Sequence, residues 1–89
     1  MSLPFSLTDV RRVTFFKRDE LTTDLICCEV EIDAAMGPKA WLNHEEEPTW
    51  NEWLDELATL PGFDSDWYSK VCLPPFAASP IVAYERPIS

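Results

Sequence analysis

Residues 49–60 read Thr-Trp-Asn-Glu-Trp-Leu-Asp-Glu-Leu-Ala-Thr-Leu, and no other stretch constrains the fold of the chain as tightly. Trp50, Trp53, Leu54, Leu57 and Leu60 recur at helical spacing, while Asn51, Glu52, Asp55 and Glu56 fill the opposite side. The pattern predicts an amphipathic helix over 49–60 that docks on an apolar surface. Thr49 and Glu52 form a T-x-x-E capping box: the hydroxyl accepts from the Glu52 amide and the carboxylate accepts from the Thr49 amide. Pro61-Gly62 supplies the stop.

The apolar surface comes from strands. Asp9–Arg18 reads as one strand, with Val13 and Phe15 on one face and Thr14 and Phe16 on the other. Thr22–Ile32 is a stronger one. Ile26, Cys28, Val30 and Ile32 alternate with Leu25, Cys27, Glu29 and Glu31, so one face is apolar and the other turns acidic. A hairpin between the two sets Arg11 or Arg12 near Glu29 or Glu31. Met36-Gly37-Pro38 signals a turn, and Lys39–His44 reads as a third strand with Ala40, Leu42 and His44 opposed to Trp41. Asp64 caps a short second helix over 65–72 that carries Trp67 and Val71. Leu73-Pro74-Pro75-Phe76 is extended, and Ile81–Arg86 closes the chain as a strand with Val82 and Tyr84 opposed to Ile81 and Ala83. The expected architecture is α+β in a single domain, residues 1–89. An antiparallel sheet of three to four strands carries one main helix (49–60) and a short second helix (65–72) on one face, in the order β-β-(β)-α-α-β.

The chain has 89 residues, enough for one core, and its four Trp, five Phe and two Tyr help a short chain build it. Its net charge is −9, from 16 acids against 7 bases. An acidic surface argues against nucleic-acid phosphate and anionic membranes as partners and is compatible with a basic protein partner. The charge is uneven: Arg11, Arg12, Lys17 and Arg18 all lie in the first strand. Cross-strand pairing with acidic neighbours is the expected use of these bases.

Cys27, Cys28 and Cys72 match no disulfide framework, and no C-x-x-C occurs. Adjacent cysteines on a strand point to opposite faces, so Cys27 and Cys28 do not bridge each other. A reducing cytoplasm is expected. The opening Met-Ser-Leu-Pro-Phe-Ser-Leu lacks the basic region and long apolar run of a signal peptide, and no stretch is apolar enough to span a membrane.

His44-Glu45-Glu46-Glu47 is the one cluster of metal-ligand residue types, but His44 is the only histidine and Pro48 disfavours helix at Glu47. No metal or other cofactor is expected. A strand end running into an acidic loop explains the cluster as well. His44 with Cys28 and nearby carboxylates is an alternative site, against which stand buried strand cysteines acting as small hydrophobes. No nucleophile elbow, zincin, P-loop or dinucleotide motif is present.

The tryptophans leave two readings open. They serve as core, or Trp50 and Trp53 stand partly exposed beside Glu45, Glu46, Glu47, Glu52, Asp55 and Glu56, forming an aromatic patch with an acidic rim suited to a basic peptide or protein. The run Val13–Val30, the His44-Glu45-Glu46 step, the Trp-x-x-Leu helix, Leu60-Pro61-Gly62-Phe63 and Leu73-Pro74-Pro75-Phe76-Ala77 together resemble a small bacterial protein family of unknown function. That resemblance implies no activity and no site. The expected function is therefore a cytoplasmic interaction or regulatory module without catalysis, monomeric or homodimeric. The alternative is a small enzyme or a ligand- or metal-binding domain at His44.

Overall fold

A computed structural model describes residues 3–19, 24–72 and 80–87. The Leu73–Phe76 segment lies outside the described residues. A short 3-10 turn, Leu7–Asp9, leads into strands β1 (Val10–Asp19), β2 (Asp24–Ala34) and β3 (Gly37–His44). Helices α1 (Trp50–Leu57) and α2 (Trp67–Cys72) follow, and β4 (Ile81–Glu85) closes the described chain. The architecture is α+β, with four antiparallel strands and two helices of which α1 is the longer.

The sheet order is β3-β2-β1-β4, so the chain order of the strands is not their order in space. β1 and β2 form a hairpin and β2 and β3 another, while β4 returns to pair with β1. The β2–β3 hairpin closes through Ala35-Met36, with Ala34 opposite Gly37. Gly37 sits at φ +118°, a conformation that strains any residue with a Cβ, which accounts for glycine there. The third strand thus starts two residues earlier than Lys39.

Two bulges keep the faces sorted. Strict alternation backward from Phe15 and Val13 would place Arg11 in the core. The β1–β2 register instead slips between Val10, opposite Ile32, and Arg12, opposite Glu31. Arg11 becomes the extra residue, and Val10, Val13 and Phe15 all face inward and are buried. In β4 the register slips between Tyr84, opposite Val13, and Val82, opposite Thr14. Ala83 is extra here, so Tyr84 and Ile81 share the inner face and Val82 points outward. This corrects the simple alternation expected for the last strand. The Ala83 carbonyl accepts from the Asp64 N–H at 2.8 Å, which ties the start of the α2 turn to the bulge.

The inner face of the sheet meets the helices through aromatic rings. Phe15 is fully buried and stacks on Trp67, with centroids 3.7 Å apart and planes 10° from parallel. Trp50 and Phe63 meet Phe15 edge-on at 6.2 and 6.3 Å, and Phe5 meets Trp53 edge-on at 5.2 Å. α2 lies close over β1 and β4, whereas α1 reaches the sheet through its tryptophans and Leu57. The longer helix is therefore not the one nearest the sheet, a placement the apolar stripe alone does not reveal.

Both helices are shorter than expected. α1 starts at Trp50 with Thr49 as its cap residue, but the capping box is not formed. Thr49 has helical dihedrals and no side-chain cap bond, and its Oγ1 accepts instead from Asn43 Nδ2 at 3.2 Å. α1 ends at Leu57 because the next turn tightens: the Thr59 N–H and hydroxyl both donate to the Glu56 carbonyl, at 3.1 and 2.6 Å. Leu60 still packs against the core. Leu60-Pro61-Gly62-Phe63 then forms a turn closed by Phe63 N–H to Leu60 C=O at 3.1 Å, with Gly62 at φ +78°. Proline second and a positive-φ glycine third is the type II signature. α2 begins at Trp67 rather than 65. Asp64 Oδ1 accepts from the Asp66 N–H at 2.9 Å and Oδ2 pairs with Lys70. The Lys70 bond, then the Asp66 N–H, hold the Asp64 carboxyl below the usual range.

Phe15 touches both helix systems from the central strand, so Phe15→Ala should lower unfolding stability by about 3–5 kcal/mol. Urea denaturation followed by tryptophan fluorescence measures this, and a loss under about 1 kcal/mol would contradict the central packing of the Phe15 ring.

Candidate functional site

The loop from His44 to Thr49 is where β3 runs into α1, and its acids have distinct local duties. The Glu45 N–H extends the ladder to the Ile26 carbonyl at 3.0 Å. Glu45 Oε1 accepts from the Ile26 N–H at 3.1 Å, standing in for the carbonyl of a longer strand. Glu47 Oε1 lies 3.1 Å from His44 Nε2. His44 Nδ1 accepts from the Glu46 N–H at 3.3 Å. That bond needs a lone pair on Nδ1, so the imidazole is the Nε2–H tautomer, donating to Glu47. Asn43 is the buried polar residue of the region; it donates from Nδ2 to Thr49 and accepts at Oδ1 from the His44 N–H at 2.8 Å. The imidazole is thus held by its own loop.

Cys28 does not belong with His44. It is opposite Phe15 and Asn43, fully buried on the inner face, whereas His44 is opposite Cys27 on the outer face. Burial, then the neighbouring Cys27 and Glu29, push the Cys28 thiol up to about 12. A thiol so held remains protonated at neutral pH and is a poor nucleophile. The sequence alternative paired His44 with Cys28; the two lie on opposite faces of the sheet. Among the described residues no three His, Cys, Asp or Glu side chains converge as a metal site would require.

The tryptophans resolve to the core. Trp50 is 9% exposed and Trp53 6%, and Trp67 is buried with them. The exposed aromatic patch considered from the sequence is absent at these positions, because Phe15 and Phe5 draw the rings inward. Glu45, Glu46, Glu47, Glu52, Asp55 and Glu56 remain exposed around them.

Charge is divided between the two sides of the molecule. Arg12 spans three strands, bonding Glu85 at 2.7 Å and Glu31 at 3.3 Å, and these neighbours raise its pKa further, Glu85 most. Arg11 and Arg86 both pair with Asp33, Arg11 at 3.5 Å. Arg11, Arg12 and Arg86 are thus engaged by acids of neighbouring strands, as the cross-strand expectation for Arg12 and Glu31 had it. The Arg86–Asp33–Arg11 cluster had no sequence signal, because it depends on the Arg11 bulge and on β4 lying beside β1. By contrast, no Lys or Arg occurs between Lys39 and Lys70. Among the described residues Glu46, Glu52, Asp55 and Glu56 have no ion-pair partner.

Comparison with protein-family models, curated proteins and solved structures finds no match. Among the described residues no helix is long and apolar enough to cross a membrane.

The burial of Cys27 and Cys28 has a direct readout. In the native protein a thiol reagent should modify neither at an appreciable rate at pH 7.5, with both reacting once the chain is unfolded. Mass spectrometry of labelled peptides tests this, and fast native labelling of Cys28 would contradict its placement on the inner face.

Proposed function

We propose that the protein is a small cytoplasmic interaction module. It binds a basic surface of a partner protein through the carboxylates of α1 and the loop before it, acting by binding rather than catalysis. The observation that carries this reading is the charge division: among the described residues Glu46, Glu52, Asp55 and Glu56 are exposed and without cationic partners, while Arg11, Arg12 and Arg86 are held by Asp33, Glu31 and Glu85. Like charges without internal partners repel one another, and a cationic surface relieves that repulsion on docking. An acidic inhibitor or immunity-type protein blocking a basic target fits this surface chemistry.

With Trp50 and Trp53 inside, binding rests on charge rather than on an aromatic anchor. Association is then fast and strongly salt-dependent. A ligand or catalytic site at His44 is less well supported. Its two ring nitrogens are held by Glu46 and Glu47, and Cys28 lies on the other face of the sheet.

Immobilised protein should capture a basic protein from an extract of its native host at low salt and release it at about 0.5 M salt, where the Debye length falls well below 10 Å. The triple variant Glu52→Lys, Asp55→Lys, Glu56→Lys should lose that capture. Capture that survives both the salt and the charge reversal would contradict the reading.

A further inference from the structure

The sheet has two edges, β3 and β4, and they differ in what they leave open. β4 runs only from Ile81 to Glu85, and its bulged Ala83 already gives its carbonyl to Asp64. β3 is longer, and its hydrogen-bond parity follows from one contact. The Glu45 N–H bonds the carbonyl of Ile26, one step beyond the Cys27–His44 pair, at 3.0 Å. In an antiparallel ladder, residues that exchange bonds with the neighbour alternate with residues that turn both groups the other way. The β2–β3 register runs unbroken from Cys27–His44 to Ala34–Gly37. Gly37, Lys39, Trp41 and Asn43 therefore bond to β2, and Pro38, Ala40, Leu42 and His44 turn their backbone groups to the open edge.

Neither end of that edge can donate. Pro38 has no N–H. His44 gives its N–H to Asn43 Oδ1 at 2.8 Å, and its carbonyl accepts from the Glu47 N–H at 3.0 Å. Between them, Ala40 and Leu42 each keep an outward donor and an outward acceptor. Their side chains are exposed on the outer face, Leu42 to 63%.

We infer that a second copy of this chain pairs with β3, edge to edge and antiparallel, about a two-fold axis through Trp41. Ala40 then lies opposite Leu42 of the second copy, and the reverse. Each pair exchanges two ladder bonds, so every outward donor and acceptor of the two residues is used. Centring the axis on Ala40 makes the same number of bonds but leaves the Leu42 carbonyl without a donor, where the Trp41 register leaves only the Pro38 carbonyl at the strand end. In the Trp41 register Pro38 faces His44 of the second copy. The position lacking a donor thus meets the position whose donor is already engaged. This self-match distinguishes a second copy from an arbitrary extended peptide.

The outer face gains an apolar cross-strand contact between Leu42 and Ala40. Charge is compatible with this edge although each chain carries −9. Gly37–His44 contains no acid, and Lys39 lies diagonal to Glu45 of the second copy, a separation of about 7–8 Å that a lysine spans. The two sheets would join into one continuous sheet across a two-fold axis.

Sedimentation equilibrium of the full chain up to about 1 mM tests the pairing, since a short edge contact is expected in the weak range of affinity. The expected result is a reversible monomer–dimer equilibrium. Leu42→Pro removes an outward N–H and leaves the ladder to β2 intact; it should weaken dimerisation at least about tenfold. Near-UV circular dichroism of the buried tryptophans reports whether this variant folds. Lys39→Glu leaves the backbone unchanged, sets an acid near Glu45 of the second copy, and should weaken the dimer about twofold or more, which decides the matter if Leu42→Pro does not fold. A monomer throughout the concentration range would overturn the inference. So would a dimer as tight in a folded Leu42→Pro variant, or in Lys39→Glu, as in the wild type.

Discussion

Phe15 stands in the middle of this molecule in a physical sense. It is fully buried on a central strand, and its ring lies flat against Trp67 while Trp50 and Phe63 present their edges to it. The edge contacts are the arrangement that the ring quadrupole favours, and the stacked pair adds buried apolar area. Neither helix has the length to persist alone, and α2 has only six residues. They are ordered because their tryptophans close over this one side chain. Even the route of the chain between the helices serves the same contact, since the type II turn at Pro61-Gly62 delivers Phe63 to the cluster.

Drawing the aromatics inward leaves the surface to charge. The two bulges sort that charge by turning Arg11 and Val82 out of the core pattern and by bringing Arg11, Asp33 and Arg86 together at one end of the sheet. Arg12 does the same across three strands. Such exposed pairs contribute little to stability, but they engage the positive charge of the sheet locally. Among the described residues, what is left without ion-pair partners is the negative charge of Glu46, Glu52, Asp55 and Glu56.

Much of the fold was legible in the sequence where periodicity was strong. The faces of β1 and β2 were read from Val13, Phe15 and the Ile26-Cys28-Val30-Ile32 alternation, and the burial of Leu57 followed from the stripe. Two kinds of feature were not legible. Bulges at Arg11 and Ala83 cost no recognisable motif, because a bulge is set by which partner strand lies alongside. The capping box at Thr49 failed for a tertiary reason: Asn43, buried at the end of β3, takes the threonine hydroxyl as its own partner. The separation of His44 from Cys28 required knowing that Cys27, not Cys28, is opposite the histidine. The exposure of Trp50 was open on sequence grounds, since a position at the edge of a helical stripe can turn either way, and Phe15 decides it.

The helix tryptophans form the core and leave the surface of α1 to carboxylates. Acrylamide quenching of tryptophan fluorescence tests this placement most directly, with a neutral quencher chosen so that the negative surface does not bias access. In a Trp41→Phe variant only Trp50, Trp53 and Trp67 report. Quenching far weaker than that of the urea-unfolded chain is expected, with a blue-shifted emission. Quenching close to the unfolded value would show that these rings face solvent, and would contradict it.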